Sequence, residues 1–95
     1  SGFDFIAADI GPDGGTVYVI GKRVSTIKCL LCSLERLADG TTTMRIAEEF
    51  TPEGLDDISG GSQLLKLQNG VFHLLVDSGG RLTYYRSEDG MRTWN

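Results

Sequence analysis

Cysteine, proline, histidine and tryptophan are all scarce in this 95-residue sequence, which holds two, two, one and one of them. Two cysteines cannot build the disulfide framework of a small secreted scaffold, and with a single histidine they fall short of a four-ligand zinc site. Long apolar runs are missing too. A membrane-spanning helix needs ~20 apolar residues, whereas the longest runs here have four, as at Cys29-Leu30-Leu31-Cys32. Membrane is therefore not expected as a partner. Positive charge is sparse: the formal net charge is −4, and Lys22-Arg23 is the only adjacent basic pair. A phosphate backbone would be repelled overall, which argues against nucleic acid. No signal peptide opens the chain, since Ser1-Gly2 runs directly into Phe3-Asp4-Phe5. The missing initiator methionine points to a processed or excised piece, so the compartment is not readable from this end.

Glycine is the residue in excess, at 13 of 95, and it is spread through the chain. Dipeptides ending in glycine stand at Asp13-Gly14, Asp39-Gly40, Asn69-Gly70, Ser78-Gly79 and Asp89-Gly90. Asp-Gly and Asn-Gly between apolar runs mark hairpins, because tight hairpin turns need positive φ. The runs between them predict seven strands: 5–10, 16–20, 27–34, 43–50, 63–67, 71–76 and 81–86. The segments 30–38 and 44–50 have helix-friendly composition, but turn glycines leave them under three turns, which is marginal for a helix. Period-two alternation in 82–86 places Leu82, Tyr84 and Arg86 on one face and Thr83 and Tyr85 on the other. The expected class is all-β, with 95 residues sufficient for one small domain but not for two independent cores.

An internal repeat organises these strands. Arg36, Asp39, Gly40 and Thr43 recur 50 residues later as Arg86, Asp89, Gly90 and Thr93, and Met44 falls where Trp94 stands. Upstream, Gly15, Val17 and Tyr18 align with Gly70, Phe72 and His73 at a displacement of 55, the difference lying in a longer loop at 21–26. Hairpin repeats of about 50 residues have the size of a four-stranded propeller blade. Residues 1–54 form the first repeat and residues 55–95 the second.

Ser87-Glu88-Asp89-Gly90-Met91-Arg92-Thr93-Trp94 resembles the Asp box of sialidase-type β-propellers, also called the BNR repeat, whose pattern is Ser-x-Asp-x-Gly-x-Thr-Trp. Ser87, Asp89, Thr93 and Trp94 fall on motif positions. Met91 stands where the family has glycine, with Gly90 one position earlier. The copy at 37–44 is more degenerate and keeps Asp39, Gly40 and Thr43. An aspartate at such a turn accepts hydrogen bonds from otherwise unpaired backbone N–H groups, glycine supplies the left-handed conformation, and a tryptophan caps the hairpin. The resemblance implies a structural staple placed away from the central channel, not a catalytic acid. It also implies a secreted or cell-surface parent.

Other candidates have simple structural explanations. On a strand, Cys29 and Cys32 point to opposite faces with Cα atoms ~10 Å apart, too far for a disulfide. They read as core thiols. His73 lies among Val71, Phe72, Leu74 and Leu75 with no nucleophile beside it, as a half-buried, hydrogen-bonded histidine would. The resemblance would require a sialidase to bring a tyrosine–glutamate pair, an aspartic acid and three arginines together. Tyr84, Tyr85, Glu48, Glu49, Asp4, Asp9, Arg23, Arg36 and Arg86 are raw material only, and the Phe/Tyr-Arg-Ile-Pro signature is missing. Met44-Arg45-Ile46-Ala47 echoes two of its positions but belongs to a strand. The acidic stretch Glu48-Glu49, Glu53 and Asp56-Asp57 is a solvated loop without the EF-hand pattern. No catalytic residue, metal or cofactor is expected. Tyr84, Tyr85, Arg36 and Arg86 are the candidate ligand-binding residues.

The expected architecture is thus two four-stranded antiparallel propeller-like blades, the second lacking its outer strand. Two blades cannot close a ring, so the chain is either part of a larger propeller or self-associates, with residues near Ser1–Phe5 of one copy available to fill the outer-strand position of another. The expected function is a non-catalytic binding or scaffold module with a glycan or protein ligand. The alternatives are a fragment of an exo-sialidase or related propeller glycoside hydrolase, and a repeat piece with no ligand.

Overall fold

A computed structural model describes residues 2–56, 58 and 62–95. Ser1 and Asp57, both named above, lie outside them. The described chain is all-β, without helices, and forms two antiparallel sheets. In the first, β1 (Phe3–Ile10), β2 (Thr16–Arg23), β3 (Thr26–Arg36) and β4 (Thr42–Phe50) follow one another in the order β1-β2-β3-β4. The second contains β5 (Ser62–Gln68), β6 (Val71–Ser78) and β7 (Arg81–Ser87) in the order β5-β6-β7. Each of the seven predicted runs is a strand, and most extend a residue or two beyond the predicted ends. The largest change is at 21–26, expected to be a loop. Gly21–Arg23 continue β2 and Thr26 opens β3, leaving a turn at Val24 and Ser25. Val24 takes φ 62° there without glycine's freedom.

Both sheets contribute to one core. Strict alternation along β3 sends Ile27, Cys29 and Leu31 toward the second sheet, and Leu30 and Cys32 to the opposite face. The inter-sheet core joins Ala7, Ile20, Ile27 and Cys29 to Leu55, Ile58, Leu65, Phe72, Leu74, Val76, Met91 and Trp94. Two register shifts adjust which side chains enter it. A shift between Phe5 and Ala7 in the β1–β2 ladder turns Ala7 inward although Phe3 and Phe5 face outward. A second shift, where Leu31 pairs Glu48 but Cys32 pairs Ile46, flips β4 so that Phe50 packs against the core while Ile46 faces away from it. The far side of the first sheet holds its own smaller cluster of Val19, Leu30 and Cys32, with Phe3, Ala8 and Val17 around it. Gly21 lies beneath Phe3, whose ring and the neighbouring Asp4 carbonyl occupy the space a Cβ would need.

The segment between the sheets is fastened to the end of the chain. Glu53 pairs with Thr93 in a parallel bridge, its N–H donating to Arg92 O at 2.9 Å and its carbonyl accepting Trp94 N–H at 2.9 Å. Asn95 and Arg86 then exchange both backbone hydrogen bonds, at 2.9 and 3.2 Å. The second sheet has three strands, with one residue, Asn95, in the fourth-strand position.

Candidate functional site

The most specific motif of the sequence forms a connected turn. Asp89 Oδ1 accepts Thr93 N–H at 2.9 Å, and Asp89 Oδ2 accepts the Thr93 hydroxyl at 2.6 Å. Ser87 Oγ donates to Asp89 at 3.0 Å and accepts Met91 N–H at 3.0 Å. Gly90 and Met91 both adopt left-handed backbone, at φ 76° and 75°. This lets the Met91 carbonyl accept Trp94 Nε1–H at 2.9 Å while the indole stays buried at 5% exposure. Ser87, Asp89, Gly90, Thr93 and Trp94 therefore act as one unit whose apolar side closes the inter-sheet core. Around Asp39 the partner is different. Asp39 Oδ1 accepts the Thr41 N–H at 2.9 Å and the Thr41 hydroxyl at 2.6 Å, with Gly40 at φ 89°. Thr43, aligned with Thr93 by the 50-residue offset, lies in β4 opposite Glu35. Met44, aligned with Trp94, is exposed. The Asp13-Gly14 turn, marked in the sequence as a hairpin but not as a copy of the motif, is of the same type: Asp13 accepts Gly15 N–H at 2.9 Å and both the amide and the hydroxyl of Thr16 at 3.2 Å. The recurring Asp-Gly-Thr composition, at spacings two to four, was the signal for it.

These bonds set the acidity of the three carboxyls. The Thr93 hydroxyl first, then its amide and the Ser87 hydroxyl, hold Asp89 below the ordinary aspartate value of 3.8. Thr41 does the same for Asp39, and the Gly15 amide, then Thr16, for Asp13. Carboxylates so committed are poor proton donors. A carboxyl whose value is lowered by folding stabilises the fold above its unfolded value, and that contribution is lost as pH falls through the lower folded value. The unfolding free energy is thus expected to be insensitive to these groups above pH 5 and to decline below the ordinary value of 3.8. Urea titrations across that range measure it. Asp89→Asn should flatten the decline.

The candidate ligand residues divide between surfaces. Tyr84 and Arg86 share the outer face of the second sheet, while Tyr85 packs against the inter-sheet core. Arg36, at the exposed end of β3 opposite Thr42, is on the other sheet. On the outer face, register aligns Leu64, Leu75 and Tyr84 in one row and Lys66, His73 and Arg86 in the next. Tyr84 Oη lies 2.6 Å from His73 Nδ1, with the rings stacked at 5.8 Å. Arg86 pairs with Glu88 at 3.0 Å, and that carboxylate, then the Tyr84 hydroxyl, push its guanidinium above the ordinary value. Lys66 and His73 had not been grouped with Tyr84 and Arg86. Strand alternation could have grouped them only once the pairing register was known.

Cys29 and Cys32 are free and buried in separate clusters. Burial pushes the Cys29 thiol up to about 12, against a weaker opposing pull from Arg92, and Cys32 upward as well. Both thiols should resist a disulfide reagent at neutral pH and react at once in denaturant. Thiol titration of native and unfolded protein checks this.

Two depressions among the described residues adjoin these elements. One, of about 530 Å³, opens between the sheets beside Asp9, Tyr18, Lys66, Asn69 and Phe72. Asp9 there is already engaged, its Oδ2 accepting Leu67 N–H at 2.8 Å. The other, of about 420 Å³, lies on the outer face of the first sheet among Phe3, Phe5, Val17, Leu30, Met44 and Ile46. Among the described residues, no three His, Cys, Asp or Glu side chains are grouped to hold a metal ion. No family model, curated protein or solved structure matches the chain.

Proposed function

We propose that the chain is a non-catalytic scaffold and binding module of β-propeller type, in which each sheet serves as a blade. In this arrangement the outer face of the first sheet is covered by the outer face of the second sheet of another copy. One observation carries this reading. Around the buried Val19, Leu30 and Cys32, the first sheet leaves Phe5, Ile10, Met44 and Ile46 between 51% and 66% exposed. A contiguous apolar face of this kind marks an interaction surface. The opposite end of the molecule also has an unfilled face, where Leu64, Leu75, Leu82 and Tyr84 are exposed. A contact between two different faces is heterologous and closes into a ring when the rotation permits, and three copies would bring six sheets together. Charge favours the same order. Nine of the 13 acidic residues but only five of the nine basic ones lie in residues 1–56, whereas the second sheet presents the row Lys66, His73 and Arg86. In the unassembled chain Tyr84 and Arg86, on that same outer face of the second sheet, offer stacking and charge to a glycan or protein ligand, which would compete with the second copy.

Light scattering on a sizing column tests the assembly. The expected result is a mass at a multiple of 10.3 kDa that rises with concentration. Phe5→Lys with Ile46→Lys should return it to one chain, with the far-UV circular dichroism spectrum unchanged. A single chain at every concentration reached would remove the proposed assembly. A fluorogenic sialoside should stay uncleaved, and sustained turnover would overturn the non-catalytic reading.

A further inference from the structure

The two outermost strands differ in how their free edges are defended. β4 carries a register shift and the charges Arg45, Glu48 and Glu49, each engaged: Arg45 with Glu35, Glu48 with Arg92 and Glu49 with Arg23. Bulges and charges of this kind discourage a further strand from adding. β7 has neither. Its sequence, Arg-Leu-Thr-Tyr-Tyr-Arg-Ser, has no proline and no acid, and its ladder with β6 runs without a shift.

The edge is also already in use at one point. Arg86 directs both its N–H and its C=O away from β6, to Asn95. Antiparallel backbone alternates, so Tyr84 and Leu82 direct theirs the same way, while Tyr85 and Thr83 bond β6. Among the described residues nothing pairs with 81–85 from that side. At the far end of the edge, Arg81 is exposed and makes no ion pair with any described residue.

From this we propose that the free edge of β7 is a strand-capture site for an extended peptide. The peptide adds antiparallel, in the register that Asn95 sets opposite Arg86. Its main chain bonds the N–H and C=O groups of Tyr84 and Leu82. Apolar side chains opposite Tyr84 and Leu82 continue the exposed row of Leu64, Leu75 and Tyr84, and a carboxylate at its C-terminal end meets Arg81. Recognition of this type takes affinity from main-chain bonds and specificity from alternate side chains. The captured backbone lies at the β7 edge and not on either sheet face, although its outward side chains border the second-sheet face used in the proposed assembly.

The probe is an acetylated five-residue peptide, threonine-valine-threonine-valine-glutamate, added to the chain and followed by amide hydrogen exchange resolved by NMR. The amides of Leu82 and Tyr84 should exchange quickly in the free chain and become protected as peptide is added, while those of Thr83 and Tyr85 are protected throughout. Leu82→Pro removes an outward donor where proline is tolerated, since the β6 ladder does not use that N–H. It should weaken binding about tenfold. Arg81→Ala should weaken binding about threefold. Absence of protection at Leu82 and Tyr84, or equal binding by a Leu82→Pro chain that keeps the Thr83 and Tyr85 protection, would overturn the proposal. So would protection that rises with protein concentration without peptide, which would assign the edge to a second copy.

Discussion

Trp94→Ala should destabilise the fold by about 3–5 kcal/mol, as full truncation of a buried aromatic does. Small domains have about 5–15 kcal/mol in total, so most or all of this one's stability is at stake. Three connections meet at this residue. The indole fills the inter-sheet core beside Phe72, its centroid 6.4 Å from that ring. Its Nε1–H satisfies the Met91 carbonyl, whose own side chain is fully buried. Its backbone N–H bonds Glu53, which fastens the inter-sheet segment to the end of the chain. Alanine keeps only the last of these. It opens a cavity between two sheets that cannot collapse without shifting Leu55 and Phe72, and it leaves the buried Met91 carbonyl with only the weak Cys29 thiol donor at 4.0 Å. Trp94→Phe restores most of the volume but not the donor, and should cost about half as much or less. Urea denaturation followed by far-UV circular dichroism compares the two, since fluorescence of the only tryptophan is lost in both. If Trp94→Ala cost no more than Arg45→Ala, a substitution on an exposed strand, the aspartate turn would not be what joins the sheets.

The strands were legible because their signals are local. Glycine dipeptides carry their own backbone requirement, and alternation within 82–86 already separated Tyr84 from Tyr85, as it separated Cys29 from Cys32. What stayed hidden depends on residues far apart in sequence. A bulge is invisible to a period-two count, because it changes phase without changing composition. Counting in twos from Ile46 puts Phe50 on the outer face, and only the shift opposite Leu31 and Cys32 turns it inward. The same happens at Ala7. The repeat offset misled in a similar way. It measured distance along the chain, whereas an aspartate's hydrogen bonds depend on turn length. Asp39 closes on Thr41 two residues on, and Asp89 on Thr93 four residues on. Nor did any pattern announce the parallel bridge between Glu53 and Thr93, a pairing across 40 residues between segments with no strand signal. The candidate surface suffered likewise: Tyr84 and Arg86 were visible as one face of a strand, but Lys66 and His73 join them only through the pairing of three strands.

That bridge makes Gly54→Ala the second large effect, at about 3–5 kcal/mol from backbone strain and forced displacement together. Gly54 adopts φ 90°, a conformation L side chains rarely take. A Cβ here would clash with the backbone carbonyl oxygen of Trp94. A methyl group cannot be accommodated by rotating a side chain here, because the obstructing atoms belong to the main chain. Either Gly54 or Trp94 must move, and both are tied to Glu53, the first by the next peptide bond and the second by its N–H. The bridge should therefore open, and exchange at the Glu53 and Trp94 amides should accelerate well before global unfolding. Gly70→Ala is the control. Gly70 has a similar φ of 78° but open space where its Cβ would go. Its substitution should cost only the conformational strain, about 1 kcal/mol. The difference between the two alanines measures the close approach of the inter-sheet segment to Trp94, free of the backbone preference common to both. Equal costs would mean that the approach is not made in solution and that the sheets are held by the side-chain core alone.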